Sequence, residues 1–494
     1  MALVIVIGAG MGGLAAAARL AAGGHRVTVL EAANTIGGKA GVLERSHPSG
    51  TFRFDTGPTL LTMPQVFEEL FADTGDPLAS VVTLRRVEPA VRYRFGDGTV
   101  LDMTADAGER AARMDHAFGP GTGSAWAALL ERGARIWRAT EGPVLRQPLT
   151  AGSALRSGTR WGDIAAIAPT RTLRQLGRRY LSDPRQRAML DRYATYAGSD
   201  PRRAPAALAV IPFLEAEFGS WYVEGGIRSL VEAVANRALL AGATIRTDTE
   251  VRRIGTAAGR VVEVETTDGA VLPADIVVSD ADASDVLGRL LNPVRRWVPR
   301  VDSLSGFVVL LGVRGATPGL AQHNVLFGSG NYDDEFDAVF GRPGRPVADP
   351  VLYVSAPDDP GLAPAGYEAW FVLVNAARHG TSGAAGTLDW DAPGLAAAQA
   401  ERVVTALDRR GLPVRERIVL REVLTPADLQ RQTGAPGGAI YGSALHGRLG
   451  SFRRPGNVTP VRGLYLVGGS AHPGGGLPLV TLSAAIVSNL IGPA

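Results

Sequence analysis

The sequence contains no cysteine. That excludes disulfides, thiolate nucleophiles and cysteine-ligated zinc or iron–sulfur centres, and it agrees with a reducing cytoplasm. Lysine is almost as scarce: Lys39 is the only one in a chain that otherwise carries its positive charge on arginine. The seven histidines, His25, His47, His116, His323, His379, His446 and His472, are scattered with no pair at metal-ligand spacing, so no metal site is expected. Net charge is only +3, which leaves no footprint for nucleic acid. Long apolar runs are missing too. Residues 1–18 approach the length of a membrane span, but a glycine turn breaks them, and they lack the basic region and cleavage site of a signal peptide. No segment is expected to cross a membrane.

What the chain does have is length and glycine. At 494 residues it is too long for one simple core, and 62 glycines point to an α/β protein with many tight turns, divided into two or three interleaved domains. Its beginning, Leu3-Val4-Ile5-Val6-Ile7-Gly8-Ala9-Gly10-Met11-Gly12-Gly13, reads as a strand buried on both faces that runs into a dinucleotide-binding turn. Gly8 permits the turn, Gly10 lets a pyrophosphate approach the backbone, and Gly13 lets helix and strand pack closely. Residues 14–22 are good helix formers, Gly23-Gly24 closes that helix, and a second strand ends at Glu31, where an acid bonds the hydroxyls of an adenine-linked ribose. A 2′-phosphate would meet that acid as a second negative charge, so NADP is disfavoured.

Separating FAD from NAD requires the next residues, Ala32 to Lys39, in which a second glycine pair follows the ribose acid and carries a cation. Glu31 with Gly37-Gly38-Lys39 resembles the FAD-binding signature of the flavin amine oxidase and phytoene desaturase superfamily. Further motifs match that family along the chain: Asp55-Thr56-Gly57-Pro58, Trp221-Tyr222 before Gly225-Gly226, Tyr332-Asp333-Asp334-Glu335-Phe336, and the C-terminal Gly468-Gly469-Ser470-Ala471-His472-Pro473-Gly474-Gly475-Gly476-Leu477-Pro478. The closing motif looks nearest to the hydroxyneurosporene (carotenoid 3,4-) desaturase branch. Read for itself, it is a strand entering a glycine-rich loop, with Pro478 in the first turn of a helix whose backbone amides attract negative charge.

The resemblance implies a discontinuous Rossmann-like FAD-binding domain (1–75, 222–292 and 450–494), an interleaved α+β substrate domain (76–104 and 293–449) and a helical, membrane-facing insertion (105–221). It implies FAD contacts at Gly8, Gly10, Met11, Gly12, Gly13, Glu31, Ala32, Gly37, Gly38 and Lys39, at the turn Asp55 to Pro58, at the backbone of Val251, and at Gly468, Gly469, Gly476, Leu477 and Pro478. In the segment 170–181, Arg171, Arg174 and Arg178 fall on one helical face, which suits either anionic lipid or plain solvent.

The activity implied is FAD-dependent desaturation of a long apolar polyene, a carotenoid, by hydride transfer to flavin N5 and loss of a neighbouring proton. Such a protein works in the cytoplasm as a peripheral protein on the inner face of the cell membrane. His472 is expected beside the flavin, either as proton acceptor or simply bonding loop backbone. Glu217 and Glu224 are other possible acids, or else surface residues or salt-bridge partners. A carotenoid isomerase or saturase, a flavin amine oxidase and a non-catalytic prenyl-lipid binding protein share parts of this pattern. The sequence leaves open the polyene, the electron acceptor and the oligomeric state.

Overall fold

The computed structural model describes residues 1–149, 167–291, 303–447, 450 and 454–494. The expected segment boundaries at 292/293 and 449/450 fall on or beside residues outside this set, as does the part 150–166 of the expected insertion.

The first strand, Leu3–Ile7, is the middle of a five-stranded sheet whose other strands come from far along the chain. Arg26–Leu30 and Thr244–Arg246 lie to one side, Ile276–Ser279 and Leu464–Leu466 to the other, and every pairing is parallel. Successive side chains of a strand point to opposite faces. Val4 and Val6 accordingly pack with Leu14, Leu230 and Val487, from the helices Met11–Ala22, Ile227–Leu240 and Leu477–Ile491. Ile5 and Ile7 pack the other way, against Ile254, Val264 and Val286. Each such buried Val or Ile contributes about 1.5–3 kcal/mol, which is why an unbroken apolar run is needed here and an alternating one would fail.

A second sheet has seven strands, in the order 418–424, 305–314, 367–376, 352–355, 323–326, 91–94, 100–103. Its pairings are antiparallel except that of 323–326 with 91–94. One face buries Phe307, Val309, Trp370 and Val372 against Val403 and Leu407 of the helix Leu395–Arg409. Under the other lie Phe52 and Phe54, from the hairpin of Val42–His47 with Gly50–Asp55. The hairpin therefore carries the turn that follows it, residues 55–58, to the junction of the two sheets.

Helices Ala107–Phe118, Thr122–Thr140, Leu173–Tyr180, Pro184–Arg192 and Val210–Phe218 cover one end of the second sheet. Leu173–Tyr180 begins where Thr172 and Gln175 cap each other's backbone N–H groups. Its basic face differs from the expected one. Arg174 turns inward to pair with Asp191 at 2.9 Å and Asp333 at 2.5 Å, because the helix Pro184–Arg192 packs beside it and supplies the first acid. Arg171, Arg178 and Arg179 are exposed. Among the described residues no helix is long and apolar enough to cross a membrane.

Candidate functional site

The glycine turn closes as the spacing requires. Gly8 has φ +94° and gives its N–H to Leu30 O at 2.8 Å, and a Cβ on Gly13 would lie 2.1 Å from the Gly8 carbonyl oxygen. Any side chain there would push helix and strand apart. The helix beyond it, Met11–Ala22, starts at Gly10 with no side-chain cap and no acid in its first turn. The last helix, Leu477–Ile491, starts at Gly476 in the same bare way, with Pro478 in its first turn. The two loops touch: a Cβ on Gly12 would sit 3.0 Å from Gly468 Cα. Two helix starts whose own first residues give no side-chain cap thus lie side by side, and the backbone amides of a first helical turn favour an anion.

The chain itself supplies a test of that preference. The Asp280 carboxylate, just past the strand Ile276–Ser279, lies on the crevice floor and accepts the Gly13 N–H. A Cβ on Gly10, Gly12 or Gly468 would come within 2.3, 2.7 or 1.9 Å of its oxygens. Burial with Glu31 raises the Asp280 pKa to about 7 despite the Gly13 N–H, so these amides only partly offset an acid's charge; it is the cradle of glycines at 10, 12 and 468, where no Cβ stands, that fits the pyrophosphate of FAD.

Glu31 stands at the rim, accepting the N–H of Ala9 at 2.6 Å and of Ala33 at 2.9 Å. Ala32 beside it is exposed, and the Thr249 N–H binds Glu31 O at 2.8 Å, which brings the start of Val251–Ala257 alongside. Gly37 folds back onto the first turn through its N–H to Ala9 O at 2.8 Å, and a Cβ on Gly38 would lie 3.5 Å from Gly10 Cα. Lys39 Nζ donates to the carbonyls of Ala439 at 2.8 Å and Ile440 at 2.9 Å. Burial lowers its pKa, Asp282 and Asp280 oppose this, and Arg454 adds to it. Arg454 in turn donates to Tyr441 O, Ser443 O and Gly469 O. These two cations pin the segment 439–443 to both glycine loops.

The turn after the hairpin packs on the same stretch, since a Cβ on Gly57 would lie 1.9 Å from Lys39 O and Thr56 N–H binds Gly41 O at 3.0 Å. Asp55 looks the other way. It accepts the N–H of Ile227 at 2.9 Å and of Arg228 at 3.4 Å, capping the helix Ile227–Leu240, and burial lifts its pKa to about 6. Pro58 leads to Thr59, whose Oγ1 is 2.7 Å from Tyr353 Oη.

From that phenol a polar cluster continues inward. Tyr353 Oη lies 2.9 Å from His323 Nδ1, and burial drops the His323 pKa to about 3, so the ring is neutral. Arg192 is buried with its guanidinium over the rings of Tyr196 at 4.9 Å and Tyr353 at 5.6 Å, and it donates to Tyr196 Oη. Tyr441 abuts the C-terminal loop, its ring 2.5 Å from where a Gly475 Cβ would be. Tyr196, Tyr353 and Tyr441 are each partly accessible although enclosed by the two sheets and the helices. Sequence patterns missed this cluster, and Asp280 and Arg454 with it, because its members come from separate segments with no common spacing.

His472 is buried, with Nε2 2.7 Å from Val144 O and 3.1 Å from Gln147 O. Carbonyls only accept, so Nε2 carries the hydrogen, and burial lowers the ring's pKa. Of the two expectations for His472, bonding loop backbone is the one the geometry contains. Glu217 and Glu224 are exposed. Outside the crevice, His379, Asp389 and Asp391 come within metal-ligand reach of one another, a closeness hidden in the sequence, with Asp391 also paired to Arg431 at 3.1 Å.

The comparisons with known proteins agree with this geometry. Residues 11–317 match the family model described as flavin containing amine oxidoreductase. The chain is 36% identical to a 4,4'-diapolycopene oxygenase of Methylomonas sp, covering 99% of this chain and 97% of the relative. It is 34% identical to a hydroxyneurosporene desaturase of Cereibacter sphaeroides, covering 97% and 95%. Among solved structures, an oxidoreductase from Methanosarcina mazei is similar with a TM-score of 0.63 at 18% identity, covering 99% of this chain and 100% of the other. Putrescine oxidase is similar with a TM-score of 0.63 at 14% identity, covering 99% and 98%, which shows the shared α/β fold. The family model's match over more than half of the chain, and relatives alike over nearly all of it, lead to one conclusion: the chain belongs to the flavin-containing amine oxidoreductase family.

Proposed function

We propose that this protein is an FAD-dependent desaturase that introduces carbon–carbon double bonds into a carotenoid or related isoprenoid polyene. The observation that carries the reading is a juxtaposition. An anion-seeking crevice made by the two ends of the chain adjoins an aromatic cluster, Tyr196, Tyr353 and Tyr441, in a protein whose relatives are named for polyene chemistry. FAD, when bound, supplies the oxidant that takes up the hydrogen removed from the substrate.

Under this reading the loop of Gly8, Gly10, Met11, Gly12 and Gly13 cradles the pyrophosphate, and Glu31 with Ala32 holds the ribose. The backbone of Val251 meets adenine. Gly37, Gly38, Lys39 and the turn 55–58 form one wall of the flavin end, and Gly468, Gly469, Gly476, Leu477 and Pro478 the other. Asp55 serves as the helix cap that keeps its wall rigid. Tyr196, Tyr353 and Tyr441 give the polyene aromatic walls, the first two already lying under the Arg192 guanidinium. His472 anchors the loop that carries the C-terminal glycines. Because the substrate is insoluble, delivery is from a membrane surface, with Arg171, Arg178 and Arg179 available to anionic headgroups.

The test is incubation of FAD-loaded protein with polyenes in liposomes, with product mass and visible spectrum recorded. A product lighter by two hydrogens and absorbing at longer wavelength is expected, and an unchanged substrate across acyclic polyenes would sink the reading. The 36% identity to a protein named an oxygenase favours a second reading, oxygenation of the same substrate class, which the product's mass separates from the first.

A further inference from the structure

We propose that Asp280 takes up one proton when FAD binds, so that the cofactor is held over a neutral carboxyl and is released as the pH rises. The inference rests on the assignment of the crevice to FAD. Its basis is position. Asp280 lies under both glycine loops, where a Cβ on Gly10, Gly12 or Gly468 would come within 2.7 Å of a carboxylate oxygen, and it occupies the Gly13 amide of the first helical turn. That turn is the one offered to the pyrophosphate.

Among the described residues, few groups are placed to neutralise the acid. Glu31 faces it from the end of the second strand with the same sign, and Asp282 follows two residues later. Lys39 opposes them, but its ammonium is already bonded to the carbonyls of Ala439 and Ile440. Arg454 faces Lys39 and spends its hydrogens on Tyr441, Ser443 and Gly469. Bringing the two negative charges of a pyrophosphate into this ring adds to the carboxylates of Asp280, Glu31 and Asp282, against two cations, Lys39 and Arg454, that are both bonded to carbonyls.

Protonation of Asp280 is the smallest change that relieves the repulsion. Burial, with Glu31 adding to it, already raises the Asp280 pKa to about 7 against the Gly13 N–H and Lys39, so the proton is available at little cost near neutrality. Further negative charge pushes the pKa higher still, and a group that holds its proton more tightly in the complex takes one up on binding.

The experiment is equilibrium binding of FAD to the apoprotein, followed by flavin fluorescence from about pH 6 to about pH 9. Kd is expected to be level below about pH 7 and to rise about tenfold per unit above it. Asp280→Asn keeps an oxygen for the Gly13 N–H, and its Kd is expected to be level throughout. Calorimetry of the unaltered protein in two buffers of different ionisation enthalpy should show nearly one proton taken up per FAD above neutrality, and this decides the matter even where Asp280→Asn does not fold. A level Kd in the unaltered protein, or no proton uptake, overturns the proposal alone. Absence of FAD binding at every pH overturns the cofactor assignment beneath it.

Discussion

The Lys39 ammonium lies 2.8 Å from the carbonyl oxygen of Ala439, across 400 residues of sequence. With its second bond to Ile440, it ties the loop behind the first glycine turn to the segment that carries Tyr441. Replacing it by methionine leaves two carbonyls without a donor and removes the cation facing Asp280 and Asp282. Lys39→Met is expected to lose about 1–3 kcal/mol in urea unfolding and to be purified with a lower flavin-to-protein ratio. Unchanged values of both would mean that the tie is idle.

The two glycines that open the C-terminal loop should respond differently to alanine. Gly468 has φ +87°, and a Cβ there would fall 1.9 Å from Asp280 Oδ1, whereas a Cβ on Gly469 would meet only Gly475 Cα at an ordinary 3.6 Å. Gly468→Ala is expected to destabilise the apoprotein by about 2 kcal/mol or more, and Gly469→Ala by less than about 1 kcal/mol. Denaturant midpoints measure the contrast, and equal losses would contradict it.

His472 donates from Nε2 to two carbonyls, and burial lowers its pKa from the ordinary imidazole value. If it positions the loop and accepts no proton, the pH–rate profile should keep its shape in His472→Gln. Glutamine retains a donor for Val144 O and Gln147 O and should turn over within a few-fold of the unaltered rate. His472→Ala, lacking the donor, is expected to lose about 1–2 kcal/mol of stability.

Glu335 gives stability a pH dependence unrelated to catalysis. It is 2% exposed, accepts Val351 N–H at 2.8 Å and Asn375 Nδ2 at 2.7 Å, and burial raises its pKa to about 7 despite those bonds. Between its ordinary value and 7 the native state binds a proton that the unfolded state has released. Its contribution is therefore complete below the ordinary carboxyl pKa and is lost as the pH rises through 7. Melting temperature should fall over that window, and Glu335→Gln should flatten the fall; an identical slope in the variant would assign the effect elsewhere.

Reading the chain in order was sufficient for the nucleotide half because its determinants are local. An apolar run with both faces buried, glycines at fixed spacing and an acid at the end of the next strand each describe a few consecutive residues, and Val4 to Ile7 divide between two cores as such a run demands. The bare start at Gly476 with Pro478 behind it is legible for the same reason.

Local pattern also misleads where a neighbour intervenes. Arg174 belongs to a basic face by periodicity, yet Asp191 and Asp333 draw it inward. Asp55, by itself an ordinary strand exit, has a carboxylate that caps the helix Ile227–Leu240, a role no local pattern marks.

By itself the sequence determined a glycine turn between strand and helix at one end and a glycine-rich helix start at the other, since backbone conformation and burial on a strand are properties of adjacent residues. Only the tertiary structure decided that the two meet at Gly12 and Gly468, that Asp280 lies beneath them, and that Thr59, Arg192, Tyr196, Tyr353 and Tyr441 gather beside them. Charge and hydrogen bonding act through space, and the residues that answer to them carry no mark in the order of the chain.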